Sequence, residues 1–211
     1  MPGDVGPFRK LFPEEHIRYI LSAIFRADLR KASEKEWENP ITGRLYDELE
    51  WLPRFRDGPL AICLRPKVRS SNSKTEKKVV GEPDILIFCA LGTQVYFAIE
   101  AKRLRFRYPR GAFETGNSEY MGEDGMMRFV TGKYAPFMKA GAMLGYVFDG
   151  DIQEAWTDIA ELIQKKTETL RMVDPKKLFP SEILPGERIG ETHHLRMDDR
   201  AFTIYHVFMP L

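Results

Sequence analysis

Hydrophobic and polar positions follow a helical period in two early parts of the chain. Apolar residues recur at three- and four-residue intervals over 14–32, which predicts an amphipathic helix there. A second stretch of the same kind begins at the Asn39-Pro40 pair, a helix-starting combination, and reaches Leu52. Pro53 is expected to end this second helix, because proline does not continue a helical hydrogen-bond pattern.

Short apolar runs after Pro53 predict strands, and longer amphipathic stretches between them predict helices. Two of the runs are separated by a connection of hairpin length that contains Gly92. The predicted strands are 60–68, 84–90, 94–102, 142–149 and 201–209. The further predicted helices are 125–140 and 151–172, with a long loop at 108–125 and a proline-rich connector at 174–187.

The order of these elements indicates an α/β fold with a central mixed sheet flanked by helices. A length of 211 residues is most simply one domain, 1–211. Within it we expect an N-terminal helix at 14–32, a core at about 38–148, and a C-terminal helix and strand at 151–209.

Composition places the chain among globular proteins, with 43% hydrophobic and 30% charged residues. No apolar run approaches the length needed to cross a bilayer, and the first residues lack the apolar core of a signal peptide. We therefore expect a cytoplasmic protein without a membrane partner. Cys63 and Cys89 lie in strand-like stretches and are expected to be reduced and buried, and His206 is expected to be a core residue.

Charged residues stand at the two outer ends of the predicted hairpin. Asp84 lies eight residues before Gly92 and Glu100 eight residues after it, so the reversal of the chain brings them together. Lys102 shares a strand face with Glu100. Two carboxylates this close raise each other's pKa unless a cation lies between them. Mg²⁺ meets that need, and a neighbouring lysine can orient or help to deprotonate an attacking water, or stabilise charge on a phosphate.

These residues resemble the motif of the PD-(D/E)xK nuclease superfamily, whose fold is also called restriction-endonuclease-like. Pro83-Asp84 is similar to the first element of the motif, and Glu100-Ala101-Lys102 is similar to the second. The resemblance implies an αβββαβ core over about 38–148, roughly half of the chain.

The resemblance also implies an activity, the Mg²⁺-dependent hydrolysis of phosphodiester bonds in DNA. Asp84, Glu100 and the backbone carbonyl of Ala101 would bind the ion, for which Mn²⁺ can substitute, and Lys102 would act on the water. Standalone members of this kind occur in bacterial restriction, phage-defence and mobile-element systems. Specificity would come from a homodimer or from a partner protein, because the chain has little room for a separate reading domain.

Members of the family often add an acid from the helix before the sheet. Glu38 is the favoured residue here, with Glu48 and Glu36 as alternatives. The predicted catalytic set is therefore Glu38, Asp84, Glu100 and Lys102. An alternative for the whole group is a structural cluster of ion pairs, in which Lys102 only neutralises the two hairpin carboxylates.

Basic residues follow the motif closely, although the net charge of the whole chain is only +1. Such a run is typical of either a phosphate-facing patch or a solvated strand end. The predicted nucleic-acid contacts are Arg103, Arg105, Arg107, Arg110, Arg128 and Lys133. Tyr134 is expected to pack in the core. Two further functions remain open, a catalytically silent binding scaffold of the same fold and a hydrolase of small phosphate compounds.

Overall fold

The structure is a computed structural model of the chain. It describes residues 11–69, 79–92, 95–108, 110–136, 138–197 and 199–211. Thr93 and Gln94, at the predicted hairpin connection, lie outside the described residues.

The described part of the chain contains six helices and eleven strands. The helices are α1 (Glu14–Arg26), α2 (Glu38–Glu50), α3 (Pro53–Arg56), α4 (Asn117–Met121), α5 (Met126–Val130) and α6 (Ile152–Lys165). The strands are β1 (Leu60–Leu64), β2 (Val68–Arg69), β3 (Val79–Gly81), β4 (Ile85–Cys89), β5 (Tyr96–Leu104), β6 (Phe106–Arg107), β7 (Phe113–Glu114), β8 (Ala140–Val147), β9 (Phe179–Pro180), β10 (Ile189–Leu195) and β11 (Ala201–Pro210).

Seven of the strands form one mixed sheet in the order β1-β4-β5-β8-β11-β10-β9. The central strands β5, β8 and β11 are parallel to one another, and the other neighbours are antiparallel. Two short ribbons, β2-β3 and β6-β7, lie outside this sheet. The prediction of an α/β fold with a mixed sheet flanked by helices is confirmed.

The central strands are covered on both faces, which explains their nearly continuous apolar sequence. All nine residues of β5 are buried, and helices α1, α2, α4, α5 and α6 contact the sheet. Gly141 in β8 shows how closely α5 approaches, because a Cβ there would lie 2.5 Å from a ring carbon of Phe129. The charged residues of β5 are therefore held within the packed part of the molecule.

The predicted hairpin is confirmed as β4 and β5, but three predicted helices are shorter than expected, and the one predicted over 151–172 ends at Lys165 as α6. The first ends at Arg26 because Ala27 adopts an extended backbone conformation, and the later apolar residue Leu29 is buried without being helical. The helix predicted over 125–140 is only α5, since Gly132 follows in the left-handed region at φ 77°. The segment 108–125 is not simply a loop, because it contains β7 and α4.

Strand β10 was not predicted, because the buried side chains in its second half are polar. Thr192 and His194 are fully buried and lie 2.7 Å apart between Oγ1 and Nε2. Thr192 also contacts His206, whose other ring nitrogen lies 2.9 Å from the Tyr120 hydroxyl. His206 is thus a hydrogen-bonded core residue, as expected. Burial lowers the pKa of His206 to about 3, so the network is built from neutral groups at neutral pH.

Within the described residues, no helix has the length and apolar character required to cross a membrane. The two cysteines are free, as predicted, with Cys89 buried and Cys63 partly buried.

Candidate active site

The hairpin register places the aspartate beside the glutamate-bearing end of β5. Ile85 pairs with Ile99, so Asp84 lies next to Glu100 across the two strands. The Oδ2 atom of Asp84 accepts a hydrogen bond of 2.8 Å from the backbone N–H of Ala101. This bond fixes the carboxylate at the edge of the strand pair, at the position expected from the sequence.

Glu100 and Lys102 project from the same face of β5 and contact each other. The ammonium Nζ of Lys102 donates a hydrogen bond of 2.8 Å to Oε1 of Glu100. Both residues are buried, with 4% and 7% of their surface exposed. The second oxygen of Glu100, Oε2, is also buried and has no hydrogen-bond partner among the described residues. Buried carboxylate oxygens are normally paired, so this atom marks a position for a further ligand.

Of the three helix acids considered, Glu38 is the one that approaches the group. Its Oε1 atom lies 3.9 Å from Nζ of Lys102, at the first residue of α2. Glu36 instead forms an ion pair with Arg44, at 2.7 Å between Oε1 and Nη1. Glu48 lines a different cavity of about 300 Å³ between α1 and α2.

Burial governs the protonation of the acids. Burial raises the pKa of Glu100 to about 7, and the negative charge of Asp84 acts in the same direction. The pKa of Asp84 is also raised, because burial outweighs the hydrogen bond from Ala101. Burial raises the pKa of Glu38 as well, with Lys102 opposing it. The group therefore favours an added positive charge.

For Lys102, the neighbouring charges outweigh the effect of burial on the pKa. Burial by itself would lower its pKa, but the charges of Glu100, Glu38 and Asp84 outweigh burial and raise the pKa above the ordinary value. Lys102 is therefore a charged ammonium at neutral pH. In this arrangement it acts as a hydrogen-bond donor and a positive charge, since it has no lone pair with which to accept a proton.

The chemistry of the donor set fits a hard divalent cation. The group offers two buried carboxylates, one with an unpartnered oxygen, and Mg²⁺ is commonly bound by one or two carboxylates together with water and phosphate oxygens. Across the described part of the chain, no three His, Cys, Asp or Glu side chains are grouped to hold one ion. Asp84 and Glu100, with the Ala101 carbonyl, are the groups that would bind it.

Arg128 and Tyr134 lie beside the carboxylates. The Arg128 guanidinium donates to the Tyr134 hydroxyl, which donates at 2.8 Å to the backbone carbonyl of Glu82. Tyr134 is fully buried, as expected from the sequence. Arg128 also pairs with Asp124, whereas Lys133 is exposed.

The four arginines of the basic run lie in different surroundings. Arg103 is 5% exposed. Arg105 forms ion pairs with Asp149 at 2.8 Å and with Asp158 at 3.5 Å. Arg107 and Arg110 are exposed. Contact of any of these side chains with nucleic acid stays a prediction, and the exposed pair is the better placed for it.

Sequence reasoning missed Trp37, which directly precedes Glu38. Its indole is 62% exposed and lies over the Arg103 guanidinium, with 4.2 Å between the guanidinium carbon and the ring centroid. The only signal in the sequence was a large aromatic residue among charged neighbours in KEWENP.

Comparison with models of known protein families, with curated proteins and with solved structures found no match to this chain.

Proposed function

We propose that this protein is a Mg²⁺-dependent nuclease of the PD-(D/E)xK type that hydrolyses phosphodiester bonds of DNA. The observation that carries the proposal is the group of Asp84, Glu100 and Lys102, in which a buried Glu100 oxygen has no partner among the described residues. A group of this kind destabilises the folded chain unless it binds a cation, so its presence favours a function over a purely structural role.

The arrangement of elements around the group supports the same proposal. Helix α2 precedes the antiparallel strands β1, β4 and β5, helices α4 and α5 follow, and β8 then lies parallel to β5. With α3 and the two short ribbons left aside, this order is compatible with the αβββαβ core that the resemblance implies for residues 38–148. Pro83 and Asp84 directly precede the second of these strands and Glu100, Ala101 and Lys102 lie in the third, which supports the same resemblance.

Each side chain of the group has a role in this chemistry. Asp84, Glu100 and the Ala101 carbonyl would hold the Mg²⁺, which when bound lowers the pKa of a water molecule and offsets negative charge on the phosphate. Lys102 donates a hydrogen bond to a phosphate oxygen that becomes more negative as the water oxygen bonds to phosphorus and the bond from phosphorus to the leaving sugar oxygen breaks. The leaving oxygen takes up a proton from solvent water. Glu38 has a raised pKa and a partly exposed carboxylate near Lys102, so it can accept the proton that the water loses.

The 2.8 Å bond between Lys102 and Glu100 is the observation that favours a second function, a catalytically silent scaffold that binds nucleic acid. In that case the lysine would neutralise the glutamate permanently and no ion would be needed. The two functions differ in their response to metal and to loss of the lysine.

The test is incubation of the full chain with plasmid, linear duplex, single-stranded DNA and RNA in Mg²⁺, Mn²⁺ or EDTA. The variants are Asp84→Asn and Lys102→Ala. Lys165→Ala serves as a matched control, because Lys165 is an exposed lysine on α6 that pairs only with Glu161 among the described residues. We expect metal-dependent cleavage that both site variants lose by at least about 100-fold and that the control retains.

Cleavage by Asp84→Asn or Lys102→Ala at the rate of the unsubstituted protein would refute the assigned site. Binding of nucleic acid without cleavage in either metal would favour the scaffold. Thermal melting of each variant shows whether a loss of activity reflects a loss of folding.

A further inference from the structure

The exposed aromatic residues nearest to the site point to the form of its substrate. Trp37 is 62% exposed and is the residue before Glu38, and Phe113 is 42% exposed in the ribbon that follows β5. Large aromatic side chains are mostly buried in folded proteins, so an exposed ring directly before a residue of the candidate site requires a reason.

The Arg103 guanidinium packs against one face of the Trp37 ring and fixes its orientation. The Arg103 guanidinium lies between two rings, with its central carbon 4.2 Å from the Trp37 centroid and 4.0 Å from the Phe106 centroid. Arg103 also donates from Nη1 to the backbone carbonyl of Glu36, at 3.4 Å. One face of the indole is therefore occupied by protein, and its large exposed fraction belongs to the rest of the ring.

A second exposed ring lies on the ribbon β6-β7. Phe106 pairs with Glu114 and Arg107 with Phe113, so Arg107 and Phe113 project from the ribbon face opposite to the one that carries Phe106. The guanidinium carbon of the exposed Arg107 lies 5.6 Å from the Phe113 centroid. Trp37, Arg103 and Phe106 therefore form one stack of two rings around a guanidinium, which we call the stacking strip, whereas Arg107 and Phe113 form a separate exposed pair.

A strip of this composition matches the chemistry of unpaired nucleotides. Every base has a flat face that stacks on an aromatic ring, and arginines beside the rings attract the phosphates. Bases within a duplex already stack on each other and present only their edges and backbone. Free aromatic faces thus gain more from single strands than from duplex.

We propose that Trp37 stacks on a base of the substrate and that the nuclease acts on single-stranded or locally unpaired nucleic acid. This inference rests on the proposed function, which it extends by naming the form of the substrate.

Binding of labelled oligothymidine to the full chain, measured by fluorescence anisotropy in EDTA, tests the inference without any cleavage. The comparison probes are a blunt hairpin duplex and an abasic oligomer that keeps the sugar-phosphate backbone but lacks bases. The variants are Trp37→Ala and Trp37→Phe. Trp51→Ala is the matched control, because Trp51 is 71% exposed at the opposite end of α2, about 20 Å along the helix.

We expect Trp37→Ala to bind oligothymidine about tenfold more weakly and to bind the duplex as the unsubstituted protein does. Trp37→Phe should recover most of the affinity, and Trp51→Ala should lose none. The abasic oligomer should bind the unsubstituted protein and Trp37→Ala equally. Oligothymidine should also quench the indole fluorescence of the Trp51→Phe variant. This quenching should disappear in the double variant that carries both Trp51→Phe and Trp37→Phe.

Three results would overturn the inference. These are equal affinity of Trp37→Ala and the unsubstituted protein for oligothymidine, equal losses on oligothymidine and duplex, or tighter binding of duplex than of single strands. If the proposed function is right, the same preparation should still cleave nucleic acid in the presence of metal, whichever of these results is obtained. Absence of cleavage with every substrate and metal, together with selective binding of single strands, would instead count against nuclease activity and support the binding of single strands by the stacking strip.

Discussion

Replacing Glu100 with glutamine should stabilise the folded protein in the absence of metal while abolishing cleavage. Burial raises the pKa of this carboxyl from 4.5 to about 7, so ionisation of Glu100 destabilises the folded protein. Each tenfold change in proton affinity corresponds to about 1.4 kcal/mol, which gives about 3 kcal/mol for this change in pKa. Glutamine has the shape of the neutral acid and avoids that cost.

The effect has a defined dependence on pH. Because the pKa is higher in the folded state than in the unfolded state, the folded protein binds the proton first as pH falls. The Glu100 contribution to the free energy of unfolding therefore decreases as pH rises from about 4.5 to about 7, and stays low above that range. The advantage of Glu100→Gln should be largest at pH 8 and should vanish near pH 4.5.

Urea unfolding in EDTA at pH 8 and pH 5 measures the gain in the free energy of unfolding and its dependence on pH. A difference of about 3 kcal/mol also corresponds to a rise of roughly 6 to 12 °C in the melting temperature of a chain of this size. Added Mg²⁺ should raise the stability of the unsubstituted protein at pH 8 and should have little effect on Glu100→Gln. Glu48→Gln is the control, because this acid lies on α2 away from the group.

A Glu100→Gln variant that is no more stable than the unsubstituted protein at pH 8 would refute this reasoning. It would mean that Lys102 fully compensates the buried carboxylate, as in a structural ion pair. Unchanged stability combined with unchanged cleavage would remove Glu100 from the site altogether.

Three further predictions concern the surroundings of the site. Glu38→Gln should slow Mg²⁺-dependent cleavage by about 100-fold, while Glu48→Gln on the same helix should not, and full activity of the first variant would remove the helix acid from the mechanism. Tyr120→Phe should lower the free energy of unfolding by about 1–3 kcal/mol, because it leaves the buried ring nitrogen of His206 without its partner at 2.9 Å. Gly141→Ala should lower it by about 1–3 kcal/mol or more, since the added carbon would lie 2.5 Å from an aromatic ring of α5, and an unchanged urea midpoint would contradict that packing.

The candidate site follows from the sequence because a hairpin has few degrees of freedom. Two apolar runs separated by a glycine-containing connection fix an antiparallel pair, and the side-chain period of two then decides which residues share a face. Asp84 and Glu100 could be placed together on these grounds, and Lys102 followed by its spacing. The unpartnered Oε2 atom of Glu100 could not be predicted, because it depends on packing from several elements at once.

Other features lay beyond sequence reasoning for identifiable reasons. Strand β10 buries Thr192 and His194, which satisfy each other and His206, so apolar alternation gave no signal. The short α5 depends on the left-handed backbone at Gly132, which an apolar period does not report. The exposure of Trp37 depends on Arg103 lying behind it, a contact between residues far apart in the chain.

The basic run after Lys102 has two parts with different physical roles. The inner arginines hold the end of β5 in place, because Arg103 lies between two rings and Arg105 joins Asp149, just after β8, to Asp158 on α6. Arg105 itself has φ 53°, an unfavourable conformation that turns the chain out of the sheet into the ribbon. These contacts fasten the end of β5, the strand that carries Glu100. The outer arginines, Arg107 and Arg110, remain exposed, so one short run both anchors the strand and offers charge to a polyanion.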